Sequence, residues 1–206
     1  MKKQLILSGV LSAVLTLPAL AFTQPNSAYP LKAEVVTELL ETMQMPRIRL
    51  EGKHNIQLDY IDFFDLAKPN KESFLITQNL LPDNKMSLSV YPNSAISGGI
   101  SQQTVSKYLR TRSEDAARKQ EYFEIITMPE SDAGPTKIRF LGAKPITVEY
   151  AIKRIIDGEP KRIIVQDSWA ELEGETYLLR IEAPEDRFKQ FFAQCKGIAN
   201  SMYFVD

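Results

Sequence analysis

The stretch 123–181 constrains the fold most. Phe123, Ile125, Ile138, Phe140, Ile146, Val148, Tyr150, Ile152, Ile163, Val165, Trp169, Tyr177, Leu179 and Ile181 sit in runs that alternate with polar residues. A period of two sends successive side chains to opposite faces, which is how a strand buries one of them. Asp157-Gly158 and Glu173-Gly174 fall between the runs. Such pairs suit two-residue turns, whose twist matches that of the flanking strands. Two hairpins in succession predict a meander, an antiparallel sheet with one buried face.

The rest of the chain supplies material to cover that sheet. Pro184 followed by Glu185 and Asp186 opens a helix, because proline fits the first turn and acids complement its positive end. Phe188, Phe191, Phe192, Cys195, Ile198, Ala199 and Met202 then recur at helical spacing, a stripe broad enough to lie on a sheet. Residues 102–120 predict a second helix, with Val105, Tyr108, Leu109, Ala116 and the stem of Arg112 on one face. A third is expected over 33–45, where Val35, Val36, Leu39, Leu40 and Met43 share a face and Pro46 ends the run. Ile48 and Leu50, then Ile56, Leu58 and Tyr60, then 74–77, then Met86, Leu88 and Val90 read as short strands. Gly52-Lys53, Pro69-Asn70 and Pro82-Asp83-Asn84 supply the turns between them. The expected fold class is α+β, an antiparallel sheet of about six to eight strands in a meander sandwiched between helices.

The first residues read as an address. Lys2 and Lys3 precede an apolar run over 5–17, Pro18 breaks it, and Ala19-Leu20-Ala21 offers small residues at the cleavage positions. That order predicts a secretory signal peptide over 1–21. The competing reading is an uncleaved anchor, for which the run 5–22 is marginal in length. No Cys follows the small residues and no twin Arg precedes the run, so export by the general route is expected. Removal of 1–21 would leave 185 residues and shift the formal charge from −1 to −3. The lysine start and short apolar core suit a bacterial periplasmic protein, with secretion or surface display as the alternative. A leader at 22–32, rich in Pro, Asn and Ser, would then precede one α+β domain over 33–206.

From Lys144 the chain reads strand, Asp-Gly hairpin, and a strand ending Asp167-Ser168-Trp169-Ala170. A second turn leads to Tyr177-Leu178-Leu179-Arg180-Ile181, and Ala183-Pro184 opens a Phe-rich helix that closes on Ile198-Ala199-Asn200-Ser201-Met202-Tyr203-Phe204. This order resembles the C-terminal half of the PsbP/DcrB-like family, whose last helix ends in a similar I-x-x-S-F phrase. Met202 stands where that phrase has Phe. The resemblance implies a PsbP-like curved sheet between helices. It also implies an exported, non-enzymatic accessory protein that binds protein or membrane partners. A fold lends a class and not an activity.

The residues themselves narrow the chemistry. One Cys excludes an internal disulfide framework and a Cys-cluster metal site, and one His excludes His-rich sites. A Ser–His pair would need His54, and neither G-x-S-x-G nor S-x-x-K occurs. His54 reads as a solvated turn residue in Gly-Lys-His-Asn. Cys195 falls inside the Phe-rich stripe, where burial would leave a thiol inert. Asp59, Asp62 and Asp65 recur every third residue, yet the EF-hand spacing and its glycine are missing. They read as an acidic edge around Tyr60, Phe63 and Phe64. Ser97-Gly98-Gly99 matches no phosphate or dinucleotide loop. No catalytic, metal or cofactor residue is assigned.

Charge points to contacts instead. A balance of 25 basic and 26 acidic residues argues against dedicated nucleic-acid binding. Lys153, Arg154, Lys161 and Arg162 bracket the Asp157-Gly158 turn and form the candidate contact patch, suited to an envelope protein or an anionic membrane surface. Lys107, Arg110, Arg112, Arg118 and Lys119 stud the middle helix. Glu114, Asp115, Glu121, Asp157 and Glu159 interleave, so a mixed solvated surface is the competing reading. The expected function is that of a non-enzymatic accessory or binding protein. The alternatives are a small hydrophobic ligand held between sheet and helix, and a carboxylate-dependent hydrolase whose acid pair has no sequence signature.

Overall fold

A computed structural model describes residues 32–40, 43–59, 64–67, 73–92, 96, 98–129 and 138–205. The signal and leader segments, the Pro69-Asn70 turn, Tyr60, Asp62 and Phe63 lie outside the described residues. Eleven strands and two helices occur among those described. They are β1 (Lys32–Leu40), β2 (Met43–Glu51), β3 (Asn55–Asp59), β4 (Phe64–Ala67), β5 (Ser73–Gln78), β6 (Leu81–Pro92), α1 (Gln102–Arg118), β7 (Phe123–Thr127), β8 (Ile146–Ile156), β9 (Glu159–Leu172), β10 (Glu175–Pro184), α2 (Glu185–Asn200) and β11 (Tyr203–Val205). They form a four-stranded sheet, β1-β2-β3-β11, and a seven-stranded sheet, β4-β5-β6-β10-β9-β8-β7.

The expected hairpins form as counted from their turns. Asp157 and Gly158, and Glu173 and Gly174, all have positive φ, the conformation a two-residue hairpin turn requires. The register follows: Arg154 pairs with Lys161, Lys153 with Arg162, and Asp167 with Arg180. β10 then pairs with β6 as well as β9, and this seam joins the meander β7–β10 to the meander β4–β6. α1 carries the chain from β6 to the far edge at β7. Its 17 residues span about 25 Å at 1.5 Å each, enough to cross four strand spacings of about 4.8 Å. Ser101 caps it: its side chain accepts from the Thr104 amide at 3.1 Å, and the Thr104 hydroxyl accepts from the Ser101 amide at 2.9 Å.

Both faces of the central strands are buried, not one. α1 covers one face through Val105 and Leu109, which pack with Val148, Tyr150, Val165 and Trp169. α2 and the smaller sheet cover the other. There Phe191, Cys195 and Ile198 join Leu50, Ile56, Leu88, Leu179 and Ile181. Residues 165–170 of β9 are consequently buried without interruption. Polar residues at alternate positions disguised this arrangement in the sequence.

The helix expected over 33–45 is not formed. β1 and β2 make a long antiparallel ribbon in its place, with Val35 opposite Ile48 and Leu40 opposite Met43. Short apolar runs fit both periods, and here non-local pairing decides between them. Pro46 is tolerated because β3 reaches only as far as Arg47, so no ladder bond to β3 is lost. The turn expected at Pro82-Asp83-Asn84 sits instead at Asn79-Leu80, and Asn84 is a buried strand residue donating to Gln78 at 2.8 Å. Ile138 and Phe140 are fully buried, but in a loop closed by one bridge from Phe140 to Ala143.

Two glycines separate backbone strain from side-chain space. A Cβ at Gly158 would meet nothing within 4 Å, but φ is +82°; a Cβ on helical Gly197 would also meet nothing, with no such φ. Gly158→Ala should therefore cost about 1–2 kcal/mol and Gly197→Ala should stabilise by about 0.5–1 kcal/mol. Urea unfolding should show midpoints moving in opposite directions. Equal shifts would contradict the assigned turn.

Candidate functional site

The candidate contact patch lies on a projecting hairpin. β9 pairs with β10 only from Ile163 onward, and β7 pairs with β8 only up to Ile152. Residues 153–162 therefore extend beyond both neighbours. Pleating divides their four cations. Lys153 and Arg162 point to the α2 side, and Arg154 and Lys161 to the α1 side. Arg154 binds Glu182 with two hydrogen bonds, of 3.0 and 3.3 Å. Arg162 binds Glu124 at 3.0 Å, the Tyr122 hydroxyl at 3.3 Å and Glu185. The Lys153 ammonium sits 4.7 Å from the Tyr122 ring centre. Lys161 has no ion-pair partner among the described residues. At the tip, Ile155 is 66% exposed and lies opposite Pro160.

A second cluster was missed by the sequence reading. It lies between α1 and the strands β8, β9 and β10. Arg180 donates from Nε and Nη2 to the two oxygens of Asp167, at 2.7 and 2.8 Å. The Tyr150 hydroxyl donates to the same carboxylate at 3.2 Å and accepts from Arg112 at 3.3 Å. The Arg112 guanidinium lies 5.4–6.0 Å from the ring centres of Tyr150, Phe123 and Tyr108. Tyr150 and Phe123 stack at 4.9 Å, and Trp169 meets Tyr108 edge-on at 5.8 Å and Tyr91 at 6.4 Å. Burial pushes the Tyr150 and Tyr91 hydroxyls above the ordinary tyrosine value, so both are neutral donors at physiological pH. Burial alone would lower Arg180, but the charge and hydrogen bonds of Asp167 together with the nearby Tyr150 and Tyr108 hydroxyls outweigh it and hold Arg180 well above its usual value.

The cluster was partly legible. Asp167 lies six residues before Glu173 and Arg180 six after Gly174, so a two-residue turn puts them opposite each other. The contribution of Arg112 depends on how α1 lies on the sheet, which no local pattern encodes.

These arrangements limit the chemistry of the described acids. Asp167 is fully buried and accepts from three donors, two on Arg180 and the Tyr150 hydroxyl. The other fully buried acid, Glu175, holds Lys53 at 3.3 Å and Tyr177 at 3.1 Å. It lies on the opposite face of the sheet from Asp167, so the two cannot flank one bond. Burial pushes the Cys195 thiol far up and keeps it protonated. His54 lies edge-on to Phe204 at 5.9 Å. Asp59 pairs with Arg47 at 3.5 Å, and Asp65 is exposed on β4 in the other sheet.

Comparison with known proteins bears on the fold. No family model matches the sequence, and no curated protein matches it. Solved structures do match. PsbP (CyanoP) from Synechocystis sp. PCC 6803 superposes with a TM-score of 0.50 at 11% identity, covering 85% of this chain and 93% of that one. The fold is PsbP-like. LpqN of Mycobacterium tuberculosis, described as involved in cell envelope biogenesis, gives 0.43 at 12% identity, covering 85% and 92%. A Bacteroides thetaiotaomicron VPI-5482 protein gives 0.42 at 8%; the matched part is 73% of this chain but 45% of that one. Among the described residues no helix is long and apolar enough to cross a membrane.

On the α2 side of the sheet, Glu149 lies beside Gln166, whose amide reaches it at 3.5 Å. Burial raises the Glu149 carboxyl above the usual range. A raised folded value penalises the folded state once the unfolded chain ionises. Stability conferred by the protonated form is thus lost as pH rises through and above the ordinary glutamate range. Glu149→Gln should match the parent at pH 3 and be more stable at pH 7 by urea unfolding. An identical difference at both pH values would contradict this.

Proposed function

We propose that the chain is an exported accessory protein of the PsbP/DcrB kind, working in the periplasm by surface contact with an envelope protein. The observation that carries this reading is the projecting β8–β9 hairpin. It holds an exposed isoleucine at its tip and lysines on both faces, beyond the reach of the neighbouring strands. Asp157 and Glu159 lie at the turn, and Glu182, Glu124 and Glu185 engage the two arginines. The hairpin is close to charge balance, which suits a structured protein partner better than adsorption on anionic lipid. The PsbP-like fold supports an accessory role only as analogy. Export rests on the reading of residues 1–21, and an intact mass beginning at Phe22 would support it.

The hairpin test uses the two lysines, because replacing Arg154 or Arg162 also breaks ion pairs. A photo-crosslinker at Ile155 should capture one envelope protein in cells. Lys153→Ser with Lys161→Ser should reduce that capture at least severalfold, with the melting temperature within about 2 °C of the parent. Unchanged capture would overturn the hairpin as contact. Loss of sedimentation with anionic vesicles instead would replace the protein partner with the membrane surface.

A further inference from the structure

The cluster beside α1 contains more donors than its acceptors can use. Its one carboxylate, Asp167, is engaged by Arg180 and Tyr150. Arg112 has no carboxylate partner among the described residues and gives one hydrogen bond, to Tyr150. Trp169 is 1% exposed, and its indole N–H has no hydrogen-bond partner among the described residues. A buried donor without an acceptor costs about 1–3 kcal/mol, so an orphan indole at a charged cluster needs an explanation. Two arginines against one carboxylate leave the cluster with a single positive charge. Arg180 keeps 31% of its side chain exposed, which opens the cluster to solvent along β10.

We propose that this cluster binds a small monoanionic carboxylate carried on a flat apolar body. Arg112 supplies the compensating charge, its guanidinium held in place by the faces of Tyr108, Tyr150 and Phe123. The Trp169 N–H is the further donor. The rings of Tyr91, Tyr108 and Trp169 suit a planar ligand body. A monoanion balances the single surplus charge. A dianion such as phosphate would leave a net negative charge in a half-buried site, which is unfavourable. The site is distinct from the hairpin contact and does not depend on it.

Trp169 is the only tryptophan, so its emission reports this site without a label. The full chain is titrated with benzoate, acetate and inorganic phosphate, with excitation selective for tryptophan. Benzoate should give a saturable change, with phosphate at least tenfold weaker. Arg112→Gln should weaken benzoate at least tenfold, and Arg112→Lys, which keeps the charge but not the planar fork, should fall between the two. Arg110→Gln, exposed on the same helix, should bind like the parent. Circular dichroism and the melting temperature confirm that each variant is folded. Overturning results are no saturable change with benzoate, phosphate binding as tight as benzoate, or equal benzoate binding by parent and folded Arg112→Gln.

Discussion

The pairing of β6 with β10 holds the structure together. β4–β6 and β7–β10 are each local meanders that hairpin turns alone can set. Joining them requires a contact between residues about ninety positions apart, with Leu88 opposite Leu179 and Met86 opposite Ile181. Those side chains face α2 and the smaller sheet in one apolar core. The opposite side chains, Ser87 and Arg180, form part of the surface beside α1. Loop-closure entropy opposes such a distant contact, and burial on both sides of the seam offsets it.

Function follows the same geometry. The cluster beside α1 draws Asp167 from β9, Arg180 from β10, Tyr91 from β6, Tyr150 from β8 and Arg112 from α1. Without the seam, Tyr91 would not stand near Trp169. The hairpin at 153–162 depends on it differently. It projects because β10 turns into α2 at Pro184, four residues short of the β9 start. One surface is thus built from half-buried donors and aromatic rings, and the other from an exposed isoleucine tip with lysines on both faces.

What could be read from the sequence was what turns and alternation determine locally. Asp157-Gly158 and Glu173-Gly174 fixed the registers of three strands, including the Asp167–Arg180 opposition. The Phe-rich stripe located α2, and Cys195 proved buried within it. The misreadings share one cause. Residues 33–45 satisfy a helical period, but Val35 and Val36 are β-branched and the partner strand that decides the matter begins only at Met43. β11 is three residues long and exists because β3 offers it an edge. The Arg112 position and the orphan Trp169 donor arise where a helix meets a sheet, and only tertiary packing sets that contact.

Native-state hydrogen exchange tests the seam most directly. Residues Met86 to Val90 of β6 and Tyr177 to Ile181 of β10 lie opposite each other across the seam, and their amides are divided between the seam and the outer neighbours β5 and β9. Both sets should exchange only through global unfolding, with the same free energy and the same response to urea. If β6 exchanged with β5 at a lower free energy while β10 stayed protected with β9, the two meanders would be separate units and the account would be wrong.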